Sequence, residues 1–144
     1  MTVACILKHK GADVAHVSPS DSIAAVSAML AARRIGAVLV LDAAGQLLGI
    51  VSERDIVRVL AREGAATLGM TAAQLMTSSL VTVTPATTVE EAMTMMSANR
   101  VRHLPVLQDG ALAGLVSIGD IVKTRLEQQA HEVDSLRAYV SGGV

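Results

Sequence analysis

Two nine-residue stretches carry the side chains best suited to chemistry. They are Gly49-Ile50-Val51-Ser52-Glu53-Arg54-Asp55-Ile56-Val57 and Gly114-Leu115-Val116-Ser117-Ile118-Gly119-Asp120-Ile121-Val122. In each, a glycine leads a short apolar run, a serine ends it, and an aspartate follows three residues later as a new apolar periodicity begins. The pattern predicts a strand feeding a helix, with Ser52 and Ser117 as N-caps and Asp55 and Asp120 in the first turn. The amides and positive dipole end of such a helix can hold an anion. An aspartate beside them can accept two hydrogen bonds from a ribose diol, so serine, amides and carboxylate together suit a phosphorylated ribose. Read alone, Ser-x-x-Asp is a capping box in which Asp replaces the longer Glu or Gln. Its recurrence at the same place in both stretches, with the weaker capping residue, favours a ligand role alongside the cap.

The elements that must position these residues are written twice. Val17-Ser18-Pro19 recurs as Val83-Thr84-Pro85, Met29 matches Met95, Arg34 matches Arg100, and Val40-Leu41 matches Val106-Leu107. After a one-residue deletion, Gly45, Leu47 and Gly49 match Gly110, Leu112 and Gly114. Self-similarity of this kind marks a repeat, and each copy reads β-α-β-β-α. In the first, residues 13–17 are expected as a strand. A helix with Ile23, Val26, Met29 and Leu30 on one face follows, ended by Gly36. Residues 37–41 and 46–51 form a hairpin, and the helix opened by Ser52 runs to about Arg62. Residues 64–69 read as a small-residue connector and 71–76 as a short helical turn. In the second copy, 80–83 is expected as the strand, Val89, Ala92, Met93 and Met96 as a helix face, and 103–107 and 111–116 as the hairpin. The last helix runs from Ser117 towards Tyr139, and 141–144 read as a frayed tail. The divisions are 8–64 for the first repeat, 65–76 for the connector, 77–126 for the second repeat and 127–144 for the extension. Each three-stranded sheet would have one uncovered face, so the expected arrangement is sheet to sheet, with clefts between the copies.

Composition bounds the function. Of 144 residues, 51% are hydrophobic, which supplies a packed core. Twelve basic and thirteen acidic residues give a net charge of −1 without a basic block, so a nucleic-acid footprint is not expected. One Tyr and no Trp or Phe leave no aromatic platforms for single-stranded bases. No apolar run approaches the roughly 18–20 residues of a membrane span. The run at residues 3–7 is too short for a signal-peptide core. Cys5 is the only cysteine, which fits a reducing, cytoplasmic setting. The four histidines lack metal-ligand spacing, and no G-x-x-x-x-G-K-[ST], G-x-G-x-x-G or G-x-S-x-G occurs. Neither a metal nor an enzymatic activity is expected.

These residues resemble a tandem pair of cystathionine β-synthase (CBS) domains, a Bateman module. The resemblance rests on Val-Ser-Pro and Val-Thr-Pro before the first helices, Arg102-His103-Leu104-Pro105-Val106, the run from Gly45 to Ser52 and its twin, and both Ser-x-x-Asp-Ile-Val endings. It implies an α/β (α+β) fold of two β-α-β-β-α repeats related by a pseudo-two-fold axis. It also implies an adenosine ligand such as AMP, ADP, ATP, NAD(H) or S-adenosylmethionine. In such modules the aspartate grips ribose hydroxyls and the serine contacts phosphate, which names Ser52, Asp55, Ser117 and Asp120. Adenine neighbours would be Val14, Ala15, Ala37 and Val38 in one cleft and Leu80, Val81, His103 and Leu104 in the other. Arg102, Pro105, Arg54 and Gly119 complete the implied sites. Arg102-His103-Leu104-Pro105 has no counterpart in Gly36-Ala37-Val38-Leu39, and Arg54 stands where the second copy has Gly119. The two sites are therefore expected to differ.

The expected function is an adenine-nucleotide sensor passing occupancy to a partner protein. Alternatives are a ligand-independent dimerisation scaffold and, less favoured, an enzyme acting on nucleotides. Related modules occur inserted in IMP dehydrogenases, whose barrel takes roughly 250 residues, more than this sequence offers. A homodimer is expected from the last helix, where Val122, Leu126, Gln129, Val133, Leu136 and Val140 make a heptad-like seam. The plainer reading is that this stripe packs on its own domain.

Overall fold

The computed structural model describes residues 1–142. The chain forms two compact units. One comprises Asp13–Val81 with Asp109–Leu112; the other comprises Met1–Ala12, Thr82–Gln108 and the described residues from Ala113 on.

The first-repeat unit holds β1 (His16–Val17), α2 (Ile23–Arg33), β2 (Ala37–Leu41), β3 (Leu47–Ser52), α3 (Glu53–Glu63), a 3-10 turn (Gly64–Gly69) and α4 (Ala72–Leu75); α1 (Val3–Lys10) precedes it in the chain and belongs to the other unit. β2 is the central strand, parallel to β1 and antiparallel to β3, with Val38 opposite Val51 and Ala37 opposite Ser52. Residues 37–40 are all buried, as a strand covered on both faces must be. Val38, Val40 and Val51 pack with Ile23, Val26 and Leu30 of α2. Ser22 caps α2, its Oγ accepting from the Ala25 amide at 3.1 Å. The expected strand at 13–17 shortens to His16–Val17, and α2 ends before Gly36. Arg34 takes the left-handed conformation (φ 53°), and the Ile35 amide donates back to the Leu30 carbonyl at 3.1 Å. That is a Schellman-type end, sealed by Ile35 against the core. Arg100 (φ 54°) repeats it, with the Val101 amide on the Met96 carbonyl at 3.0 Å.

The second-repeat unit holds α1, α5 (Val89–Asn99), β4 (His103–Gln108), α6 (Ile118–Gly142) and, from Ala113 on, β5 (Ala111–Ser117). Positive φ at Asp109 and Gly110 turns β4 into β5, the conformation a two-residue hairpin loop requires. Residues 80–83 form no strand. Val83 alone bridges Val106, donating to the Pro105 carbonyl at 3.0 Å and accepting from the Leu107 amide at 2.9 Å. The next ladder bond towards the N-terminus would need an N–H from Pro105, which has none. In the first repeat Leu39 holds that place, and its amide donates to the Ala15 carbonyl at 3.1 Å.

Residues 3–7, read from sequence only as a short apolar run, begin α1, and Val3 and Ile6 are buried. The start of α1 docks by backbone bonds: the Val3 amide donates to the Thr87 carbonyl (2.8 Å), the Ala4 amide to Pro85 (2.9 Å), and the Val89 amide to Met1 (3.0 Å). The connector docks on the first repeat in the same way. The Ala72 amide donates to Asp21 (2.8 Å), the Ala73 amide to Pro19 (3.0 Å) and the Ile23 amide to Met70 (2.8 Å). Met1-Thr2-Val3-Ala4 is therefore a further repeat of Met70-Thr71-Ala72-Ala73. Lys8, His9 and Lys10, placed with the first repeat on sequence alone, extend the helix that seats on the second. Of the expected tail, Ser141 and Gly142 end α6; positions 143 and 144 lie outside the described residues.

The paired glycines of the opening motifs answer to these docked segments. A Cβ on Gly49 would lie 2.8 Å from the Thr77 carbonyl oxygen and 2.8 Å from Met76 Sδ, whereas one on Gly114 would lie 2.6 Å from Leu7 Cδ2. Backbone cannot yield as a leucine tip can. Gly49→Ala is expected to cost about 1–3 kcal/mol in urea unfolding, and Gly114→Ala clearly less; equal losses would show that Leu7 has no freedom to move.

Candidate functional site

Each site is built at the turn from a hairpin's return strand into the following helix. At the first, the Ser52 amide and hydroxyl both donate to Asp55 Oδ2 at 2.9 Å, and the Asp55 amide donates to Ser52 Oγ at 3.2 Å. At the second, the Ser117 amide donates to Asp120 Oδ2 at 2.8 Å and the Asp120 amide donates to Ser117 Oγ at 3.2 Å. Both are reciprocal capping boxes, with the serine at the strand end and the aspartate at the third helical position. The first helical amides are also engaged: Glu53 donates to the Gly36 carbonyl (2.9 Å) and Ile118 to the Arg102 carbonyl (2.8 Å). These bonds tie the start of β2 to α3 and the approach to β4 to α6. They also leave fewer amides for an anion than a bare helix start would offer.

The surroundings of the two carboxylates differ. Among the described residues the one cation at Asp55 is the Arg58 guanidinium, one turn on along the exposed face of α3, at 3.8 Å. Asp120 receives Lys10 from the end of α1: its Nζ donates to Asp120 Oδ2 at 2.7 Å and to the Leu115 carbonyl at 2.8 Å. Partial burial works to raise the Asp120 carboxyl, but the bond from Lys10, the Ser117 amide and the lysine's charge outweigh it, so the group is held below its ordinary 3.8. A cavity of about 310 Å3 opens here, lined by Ile6, His9, Lys10, Asp120, Lys123, Thr124 and Glu127. In the first-repeat unit the larger cavities, about 520 and 510 Å3, lie against Arg34, Gly36 and Glu53 and against Ser18, Asp42 and Gly45. Neither is lined by Ser52 or Asp55.

The other residues singled out from sequence scatter more widely. Ala37, Val38, Leu104 and Pro105 are buried, Val14, Ala15, Leu80, Val81 and His103 are half-buried, and Arg54, Arg102 and Gly119 are exposed. Leu80 and Val81 stand outside any strand. Sequence reasoning missed Lys10. The signal that finds it is the Met-Thr-x-Ala repeat, which seats α1 on the second copy. Among the described residues no group of three or more His, Cys, Asp or Glu side chains comes together to hold a metal, and no helix is long and apolar enough to cross a membrane.

The CBS-domain family model matches residues 8–62 and 72–127. The chain belongs to the CBS-domain family. Its two repeats are thus a CBS pair, and the mixed α/β class expected from the resemblance is the one observed, with one small sheet in each repeat. A crystal structure of the CBS-domain containing protein ATU1752 from Agrobacterium tumefaciens is similar at TM-score 0.84 and 44% identity, over 86% of this chain and 92% of that one. The mitochondrial CBS domain-containing protein CBSX3 of Arabidopsis thaliana is 34% identical over 99% of this chain and 73% of its own length. The CBS domain pair of protein MJ0100, crystallised with 5′-methylthioadenosine and S-adenosyl-L-methionine, shares the fold at TM-score 0.78 and 23% identity, over 89% of this chain and 98% of that one.

The lowered Asp120 carboxyl ties stability to pH. A group whose native value lies below its unfolded one stabilises the fold above the unfolded value and loses that contribution as pH falls through the native one. Wild type is therefore expected to exceed Asp120→Asn in urea midpoint at neutral pH. The gap should close as pH falls below 3.8. A gap that persists unchanged in acid would remove the ion pair as its cause.

Proposed function

We propose that this CBS pair is a regulatory module that binds an adenosine-containing ligand, of the AMP, ADP, ATP, NAD(H) or S-adenosylmethionine kind, at its strand-to-helix turns. The observation that carries the reading is the repeated serine–aspartate pair, held rigidly at both helix starts, in a fold shared with a pair crystallised with adenosine compounds. Asp55 and Asp120 take ribose hydroxyls, Ser52 and Ser117 with Arg54 and Gly119 lie towards phosphate, and the backbone beside Val14, Ala15, Ala37, Val38, Leu80, Val81, Leu104 and Pro105 meets adenine. Arg102 adds positive charge, and His103 a further polar group, to the second site alone. Buried side chains such as Val38 and Leu104 (both 0% exposed) contribute through backbone groups. The module works by occupancy, not turnover: differential affinity for two conformations is what a bound ligand can transmit to a protein target. A reducing cytoplasm suits the single, half-buried Cys5.

Asp120→Ala removes two charge-assisted bonds to ribose, each of order 1.5–3 kcal/mol. It is expected to weaken calorimetric binding of AMP at least tenfold while the protein stays folded. Asp55→Ala should remove a second, different affinity. Wild-type affinity in both variants would rule out the ribose assignment, and no binding of any adenosine compound to wild type would favour the ligand-independent scaffold.

The protein also acts as a homodimer in this reading, supported by α6. Ile121 is buried while Val122, Leu126, Val133, Leu136 and Val140 are between 47% and 66% exposed. The apolar seam therefore does not pack on its own chain. A stripe with heptad spacing on a 25-residue helix suits a second copy of itself. Truncation after Gln128 is expected to shift the mass measured by light scattering from dimer towards monomer. A truncated protein that stays dimeric and equally stable would move the interface elsewhere.

A further inference from the structure

Among the described residues Lys10 is the one cation brought to either aspartate by a different segment of the chain. It arrives because α1 runs past the point where its counterpart stops. By the Met-Thr-x-Ala repeat, Lys10 corresponds to Ser79, and α4 ends at Leu75. The first repeat therefore has no equivalent, and the Arg58 contact at Asp55 is long and exposed.

The hydrogen bonds at Asp120 leave room for a ligand without dismantling the pair. The Ser117 amide and Lys10 both use Oδ2, so Oδ1 accepts from none of the described residues. A lysine ammonium has three donors. Two are spent, on Asp120 and on the Leu115 carbonyl, and Lys10 is 36% exposed at the edge of the 310 Å3 cavity. Lys123 and His9 line the same cavity, and among the described residues Lys123 makes no ion pair. The acidic groups there are Asp120, already paired, and Glu127. Hydroxyls can thus reach Oδ1 while an anionic oxygen takes the third Lys10 donor, a charge-assisted bond. A neutral group in that place gains nothing, and a cationic one meets two ammonium groups at once.

We propose that Lys10 sets ligand choice at the second CBS repeat, making that site select adenosine ligands with a phosphate on the ribose over neutral or cationic ones. This rests on the reading of Asp120 as the ribose-binding group. It distinguishes the chain from the MJ0100 pair, whose crystallised ligands are a thioether nucleoside and a sulfonium.

The test is calorimetry with AMP and 5′-methylthioadenosine on the full chain carrying Asp55→Ala, so that the second-repeat site alone is read. With Lys10 present, AMP is expected to bind at least tenfold more tightly than 5′-methylthioadenosine. Lys10→Met should abolish that preference by weakening AMP tenfold or more, and Lys10→Arg should keep it. Any change in the ribose grip caused by freeing Asp120 affects both ligands alike, so the affinity ratio isolates the phosphate. Thermal melts of each variant confirm that it is folded. A Lys10→Met ratio within twofold of the parent's, or a parent that prefers 5′-methylthioadenosine, overturns the inference while leaving the nucleotide reading intact. Binding of neither compound to wild type overturns both.

Discussion

Everything at the second site depends on how the first few residues of the chain dock. Four amides at the start of a helix lack partners within it. In α1 two of these, on Val3 and Ala4, are taken up by the Thr87 and Pro85 carbonyls, and Met1 returns a carbonyl to the Val89 amide. Those bonds set the position of α1 relative to α5, Leu7 fills the space left by Gly114, and only then does the last turn of α1 bring Lys10 to Asp120. The connector makes the same three bonds on the first repeat. One docking device is thus used twice, by segments of different length, and the difference in length gives the two sites different charge.

The repeats diverge at a second place for a reason equally local. Replacing Leu39 by Pro105 removes one amide from the edge of the central strand. The first repeat keeps a parallel partner along its edge, and the second keeps a single bridge. The approach to the second site is therefore less regular backbone, while its helix start is just as firmly capped. A module that holds its two carboxylates in matching geometry but different electrostatic settings can respond differently to ligands of different charge.

The C-terminal helix serves two ends. Near its start, Ile121 is buried and Arg125 reaches Glu90 of α5 at 2.9 Å, fastening it to the second repeat. The rotation between that buried face and the exposed seam is about one residue, roughly 100° of an α-helix. The seam thus stays clear of the helix's own packing while its first turn carries Asp120. A partner along α6 would bear on the element that presents Asp120.

The sequence by itself determined the repeat, the helices and hairpin of each copy, the central apolar strands and the two capped helix starts. These follow from short-range causes: β-branched runs, a serine before a helical periodicity, and turn glycines at fixed spacing. Ser52 with Asp55 and Ser117 with Asp120 are legible because each pair lies three residues apart on one turn. Residue preference points to Gly36 as the end of α2, but the Leu30–Ile35 closure makes left-handed Arg34 the stop. Extending a strand through 80–83 missed what Pro105, distant in sequence, withholds. Only the tertiary structure decided where α1 seats, and with it that Lys10 faces a carboxylate 110 positions away. That contact depends on a helix from before the first repeat docking on the second, a long-range choice that the short Met-Thr-x-Ala repeat signals but that only the backbone bonds of the docked segment decide.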